Sequence, residues 1–187
     1  MKKLVLVLIA ALISIPLMAQ DTPKGEIFGG YQYLHIGSNN DLGSTSGQGF
    51  NGWNAAAQFN FSKNLGVEGD FSGSYATISG ISTHIYTYTG GPVVFAEAGP
   101  IKPFAHVLFG GAKLSGTNSG VTITFDGFAV LAGAGVDAKI NRNLAVRIAQ
   151  FDWLYYHFGS KTVGGVAFPS FSGSNNVRIS TGIVLRF

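Results

Sequence analysis

The sequence predicts an all-β protein, an eight-stranded antiparallel up-and-down transmembrane β-barrel. Three observations carry that expectation. Apolar and polar residues alternate at every second position in eight separate segments. Charged residues make up only 11% of the chain, against about 25% in ordinary soluble domains. Beyond the first nineteen residues no apolar run is long enough for a membrane-spanning helix. A soluble barrel coats its outside with charge, and this chain has too few charges to do so. A closed barrel is then the remaining way to cross a bilayer, because it leaves no strand edge unpaired in lipid.

The chain opens on Met1-Lys2-Lys3 and runs apolar from Leu4 to Met18. A short basic stretch followed by an apolar stretch of this length reads as a secretory signal peptide. Residues 1–19 are expected to be that peptide, cut after Ala19, and 20–187 the barrel domain. Without Lys2 and Lys3 the Lys+Arg count falls from 12 to 10 against 9 Asp+Glu, a net charge of +1. That balance, with no basic stripe, gives no case for a nucleic-acid partner. There is no cysteine, so an exported chain must be held by its core or by the membrane rather than by disulfides.

The eight segments follow in order. The first, 26–36, places Ile27, Gly29, Tyr31 and Tyr33 on one face. The second, 50–61, sets Trp53, Ala55, Ala57, Phe59 and Phe61 against Asn54, Ala56, Gln58 and Asn60. The third, 66–75, sets Val67, Gly69, Phe71, Gly73 and Tyr75 against Glu68, Asp70, Ser72 and Ser74. In the fourth, 83–97, Tyr86 and Tyr88 oppose Thr87 and Thr89. The fifth is 103–114, the sixth 122–139 and the seventh 144–157. The eighth, 177–187, sets Val177, Ile179, Thr181, Ile183, Leu185 and Phe187 against Arg178, Ser180, Gly182, Val184 and Arg186. The polar faces are mostly Asn, Gln, Ser and Thr, and the opposite faces are aromatic and aliphatic. A polar interior and a lipid-facing exterior follow.

Short polar connections at 62–64, 98–100 and 141–143 alternate with stretches rich in Gly, Ser, Thr and Asn at 37–49, 76–82, 115–121 and 158–175. Outer-membrane barrels put short turns in the periplasm and long loops outside. Both termini are therefore expected in the periplasm, and the long connections 37–49 and 158–175 are the expected contact surface.

Several stretches together resemble the small outer-membrane β-barrel proteins of the OmpA-like barrel superfamily. They are Phe28-Gly29-Gly30-Tyr31-Gln32-Tyr33-Leu34, Lys102-Pro103-Phe104-Ala105-His106-Val107-Leu108-Phe109-Gly110-Gly111, Gly133-Ala134-Gly135-Val136-Asp137, Ala145-Val146-Arg147-Ile148-Ala149-Gln150-Phe151-Asp152-Trp153, and the ending from Arg178 to Phe187. The resemblance implies a monomer in the bacterial outer membrane. It implies outer-membrane lipids and the outer-membrane assembly machinery as partners, with Phe187 as the assembly signal. The peptidoglycan-binding domain that follows the barrel in many such proteins is not in this sequence.

An eight-stranded barrel is narrow enough for side chains to fill. Alternation points Glu68, Asp70 and Arg178 inward, with Asp152. Charges buried singly are costly, so they are expected to pair. By resemblance to similar barrels, Arg178 and Arg147 are expected to neutralise Glu68 and Asp70 and to plug the lumen. Strict alternation puts Arg147 outward if Gln150 and Asp152 face in. A β-bulge between Arg147 and Gln150 would bring all three inside; otherwise Arg147 snorkels at the rim.

Tyr31, Tyr33, Trp53, Tyr75, Tyr86, Tyr88, Trp153, Tyr155 and Tyr156 read as interface girdles. His35, His84 and His157 lie near outer strand ends, while His106 is expected mid-barrel and hydrogen-bonded inside. None of the histidines has metal-ligand spacing, and no cofactor is expected. The one suggestive catalytic neighbourhood is His157 with Ser160 beside Asp152, which does not reproduce the His-x-Ser-Asn order of the lipid A deacylase barrels. A non-enzymatic, loop-presenting or structural membrane protein is the expectation, with a narrow nonspecific pore as the alternative and a lipid-modifying enzyme behind it.

Overall fold

The computed structural model describes residues 23–37, 47–118, 120–163 and 166–187. The expected signal peptide, 1–19, and most of the 37–49 connection lie outside the described residues.

Ten strands occur among the described residues: β1 (Gly25–Ile36), β2 (Gln48–Asn60), β3 (Leu65–Ile78), β4 (Ile81–Phe95), β5 (Ile101–Asn118), β6 (Val121–Lys139), β7 (Leu144–Phe158), β8 (Lys161–Val163), β9 (Val166–Phe168) and β10 (Phe171–Arg186). Eight of them close into one barrel in the order β1-β10-β7-β6-β5-β4-β3-β2. Every neighbouring pair is antiparallel. β8 and β9 form a separate hairpin within the connection from β7 to β10. The barrel closes where β1 meets β10, from Glu26 opposite Arg186 to Ile36 opposite Asn176. At the middle of that seam Gly30 faces Gly182, and a Cβ on either would run into the backbone of the other strand.

Alternation sorts the two faces cleanly. On β10, Val177, Ile179, Ile183 and Leu185 are 41–54% exposed, whereas Arg178, Ser180 and Val184 are 1% exposed. Tyr31, Trp53, Phe71, Tyr88, Phe109, Phe128, Phe151 and Trp153 also point outward and are exposed. A water-facing surface does not carry apolar side chains around its whole girth; a lipid-facing one requires them.

The strands rise further at one end than alternation alone indicates. The stretch expected as a loop at 76–82 is a two-residue turn, with Ser79 at φ 50° and Gly80 at φ 81°. Two consecutive positive-φ residues match the right-handed twist of the strands they join. Likewise β5 runs to Asn118 and β6 starts at Val121, where a loop at 115–121 was expected. Thr-rich segments form ladder there, through Ser115–Thr124 and Thr117–Thr122 hydroxyl pairs of 3.0 and 2.9 Å. The strict long–short alternation of connections therefore does not hold. The last strand also starts six residues earlier than expected, at Phe171, and crosses a register shift between Gly173 and Asn176. We call this the hairpin end, and the opposite one, with connections 61–64, 96–100 and 140–143, the turn end.

The interior is not polar throughout. Toward the hairpin end Leu34, Phe50, Ile85, Leu108, Leu131, Leu154, Tyr156 and Phe158 form one buried apolar cluster. Phe125 and Phe171 cover it, with Phe158 and Phe171 ring centroids 5.0 Å apart. Toward the middle and the turn end charged residues share the interior with two small apolar clusters, Phe28, Ala56, Ala145 and Val184, and Val93, Phe95 and Phe104.

Candidate functional site

The charged residues of the lumen lie in three tiers, built mostly from positions that strand parity turns inward. The middle tier spans the barrel. Arg178 on β10 forks onto Asp70 of β3, with Nη1 2.9 Å from Oδ1 and Nη2 3.1 Å from Oδ2. Its Nε donates to Asp152 Oδ2 at 2.7 Å, on the strand directly opposite. A planar guanidinium suits this arrangement because it can serve two carboxylates from fixed directions. Asn54 Nδ2 donates to Asp70 Oδ2 at 2.7 Å, and Gln150 Nε2 to Asp152 Oδ2 at 2.8 Å. His106 joins the same tier from β5: Nδ1 lies 3.0 Å from Glu68 Oε1 and Nε2 2.9 Å from Asp152 Oδ1. Carboxylates accept and do not donate, so a proton on each ring nitrogen satisfies both contacts. The bonds form a continuous belt from Asn54 through Asp70, Arg178, Asp152 and His106 to Glu68, crossing the lumen at one level. His106, Asp152 and Arg178 are at most 3% exposed.

The second tier lies nearer the turn end. Arg147 donates from Nε to Asp137 Oδ1 at 2.8 Å, from Nη2 to Oδ2 at 3.2 Å, and from Nη1 to Gln150 Oε1 at 2.6 Å. Its guanidinium lies between the rings of Phe28 and Phe104, 4.3 and 4.2 Å from their centroids. β7 bulges between Arg147 and Gln150. Val136 pairs with Ala149 while the next residue, Asp137, pairs with Arg147. The extra residue lets Arg147, Gln150 and Asp152 all face the lumen, with Ile148 and Phe151 outside.

The third tier sits at the mouth. Glu26 takes Lys102 Nζ at 2.5 Å and Arg186 Nε at 3.3 Å. Glu97 takes Arg186 Nη2 at 2.8 Å and also pairs with Lys139. A vestibule of about 570 Å³ opens here, lined in part by Glu97, Lys139, Arg142 and Arg186 and in part by Pro100, Ile140 and Phe187.

Glycines make room for these groups. A Cβ on Gly133, opposite Asp152, would strike that carboxylate, and one on Gly135 would lie 2.6 Å from the Phe104 ring.

Of the residues singled out from sequence, Glu68, Asp70, Asp152 and Arg178 come together in the middle tier. Contrary to expectation, Arg147 does not meet Glu68 or Asp70; it pairs with Asp137 and reaches the middle tier through Gln150. Glu68 meets His106 rather than an arginine. Sequence reasoning missed Asp137, Glu26, Lys102 and Glu97 as network members. The signal was available for Asp137, which shares a face with Gly133 and Gly135. Phe187 continues the seam beyond β10, its N–H donating to Gly25 O at 3.0 Å, and its ring lies over Gly25. His157 does not meet Ser160: its Nδ1 lies 2.8 Å from Ser172 Oγ, on the opposing strand. Asp152 is on the other side of the sheet, inside the lumen.

No curated protein matches the sequence. Solved structures do match in fold. Neisserial surface protein A aligns at 13% identity with a TM-score of 0.67, over 90% of this chain and 100% of that one. Ail of Yersinia pestis aligns at 16% identity and TM-score 0.56, over 89% and 99% of the two chains. OprG of Pseudomonas aeruginosa aligns at 10% identity and TM-score 0.54, over 89% and 96%. At these identities the likeness is one of architecture. Residues 5–187 match the outer membrane protein beta-barrel domain, and with that match over nearly its whole length the chain belongs to this family.

Proposed function

We propose that this outer-membrane barrel is a closed, non-catalytic, monomeric membrane protein. Its lumen is plugged, its hairpin end faces the exterior and its turn end the periplasm. Its work is done by the surface it presents, the 37–49 and 158–175 connections and the tall β3–β4 and β5–β6 hairpins. One observation carries the plugged reading: the belt through Asp70, Arg178, Asp152, His106 and Glu68 crosses the lumen beneath an apolar cluster. An ion entering from the turn end would meet charges already paired across the lumen, then an aliphatic and aromatic layer that offers little to replace its hydration shell. The orientation rests on the family's habit of short periplasmic turns. Partners are outer-membrane lipids and the assembly machinery that reads Phe187.

Planar-bilayer recording of the purified protein tests it: no sustained conductance is expected. A stable large conductance would favour the alternative of a narrow pore, for which the vestibule bounded by Lys139, Arg142 and Arg186 would be the entrance.

A further inference from the structure

Three of the four histidines occupy equivalent places. On β1, β4 and β7 an outward tyrosine is followed, two positions nearer the hairpin end, by a histidine: Tyr33 and His35, Tyr86 and His84, Tyr155 and His157. Residues two apart on a strand share a face and are about 6.6 Å apart along it. On β5 Lys113 stands opposite Tyr86, outward and exposed. At the turn end the matching outward positions are Ile27, Phe59, Leu65, Val94, Ile101 and Leu185, which carry no side-chain nitrogen.

Tyrosine and tryptophan rings settle where hydrocarbon meets headgroups. The girdle here includes Tyr33, Trp53, Tyr75, Tyr86, Tyr88 and Trp153, tied in part by Trp53 Nε1 donating to Tyr75 OH at 3.1 Å. One step beyond it lies the headgroup layer itself. We propose that His35, His84, Lys113 and His157 form a belt that binds the phosphate groups of outer-leaflet lipids. The proposal rests on the reading that the hairpin end faces outward.

The chemistry is that of ring N–H and ammonium donors meeting an acceptor-only, anionic oxygen cluster. His35 faces Val177 on β10 and Gly49 on β2. His84 lies edge-on to Tyr75, ring centroids 5.2 Å apart, and faces Ser115 on β5. His157 holds Ser172 through Nδ1, which leaves Nε2 to a ligand, and faces Phe128 on β6. Among the described residues the acid at this level is Asp126, two positions from Phe128 and 3.5 Å from Lys113. It offsets one charge of the belt. Imidazoles gain positive charge on mild acidification, so the belt should hold phosphate more strongly as pH falls.

Nanodiscs of phosphatidylcholine doped with bis-phosphorylated lipid A, or with the same lipid stripped of phosphate, provide the probe. Lipid retained by the protein is counted by native mass spectrometry at neutral pH and at about pH 5.5. The protein should prefer the phosphorylated form by about fivefold for each charge the belt carries, and more at low pH. His35→Gln, His84→Gln and His157→Gln together should abolish the low-pH rise, and Lys113→Gln should weaken retention at both pH values. Equal retention of the two lipids at the lower pH overturns the belt, and an undiminished rise in the triple variant removes the histidines from it. These side chains face away from the lumen, and heat-modified gel migration checks that each variant folds. If the triple variant does not, Lys113→Gln and the single histidine variants still decide, and retention unchanged in all of them overturns the belt. Both faces of a nanodisc carry the same lipid, so it is the loss of retention in the belt variants that assigns it to this belt rather than to Lys63 or Arg142 at the turn end. Surface protease digestion on cells tests the orientation separately.

Discussion

Arg178 and Asp70 meet across the lumen from β10 and β3, guanidinium forked onto carboxylate at 2.9 and 3.1 Å. Nothing in the chain between them fixes this contact locally, since 108 residues separate the two. It exists because the barrel closes. Removing the arginine would leave Asp70 buried without a counter-charge and Asp152 with His106 alone, and breaking such a pair from one side costs about 3–5 kcal/mol. Arg178→Met should therefore lower unfolding free energy by that order, measured by urea titration in lipid vesicles. Arg178→Met with Asp70→Asn should cost less than the sum of the two single changes, because each removes what strands the other. Strict additivity would mean the two do not act as a pair.

The glycines divide by face, and the division can be measured. Gly133 points into the lumen, where an added Cβ would meet the Asp152 carboxylate and lie 2.7 Å from Phe151 O. Gly133→Ala should cost about 1–3 kcal/mol by overpacking. Gly69 lies on the outward face of β3, where an added Cβ would have nothing within 4 Å. Gly69→Ala should stay within about 0.5 kcal/mol of the parent. Equal effects in a parallel denaturation series would remove the lumen glycines from any special role.

Arg147 tests whether shape matters beyond charge. It is forked on Asp137 and stacked between Phe28 and Phe104. Lysine keeps the charge and loses both the fork and the flat face. Arg147→Lys should cost roughly 2 kcal/mol in the same unfolding assay. A lysine variant as stable as the parent would reduce the site to simple charge balance.

The architecture was legible because alternation is a local property. Each of the eight barrel strands covers nearly all of the segment read from the pattern, with 50–61, 83–97 and 177–187 running one or two residues past the strand's end, and the faces of β10 follow from residues 177–187 alone. Strand ends were not legible at the hairpin end, where Gly, Ser and Thr serve equally in loops and in ladders. Only the Ser79–Gly80 pair, with both φ values positive, shows that 76–82 is a turn with strands on either side. Parity also assigns Glu68, Asp70, Asp152 and Arg178 to the inner face. Which acid meets which base depends on the stagger between non-adjacent strands, and that is why the pattern matches Arg147 with Glu68 and Asp70 instead of Asp137. The bulge in β7 was legible as a conflict, since Arg147 and Gln150 cannot both face inward on a regular strand. The apolar plug was in the pattern too. Leu34, Ile85, Leu108 and Leu154 share their faces with polar lumen residues, and the polar ones dominate the reading.

The outward His157–Ser172 pair bears on catalysis. A hydrolase needs its serine held by a histidine that is itself oriented by an acid. Here Nδ1 of His157 is spent on Ser172 at 2.8 Å, and Asp152 is turned to the lumen and committed to Arg178 and His106. A histidine without an orienting acid makes a poor general base, and the exposed rim leaves a developing oxyanion to water. Purified protein incubated with phospholipid or lipid A should release no fatty acid by mass spectrometry, and Ser172→Ala and Ser160→Ala should leave the lipid profile of cells unchanged. Acyl release by the parent protein that disappears in Ser172→Ala would make this pair an active site and overturn the non-catalytic reading.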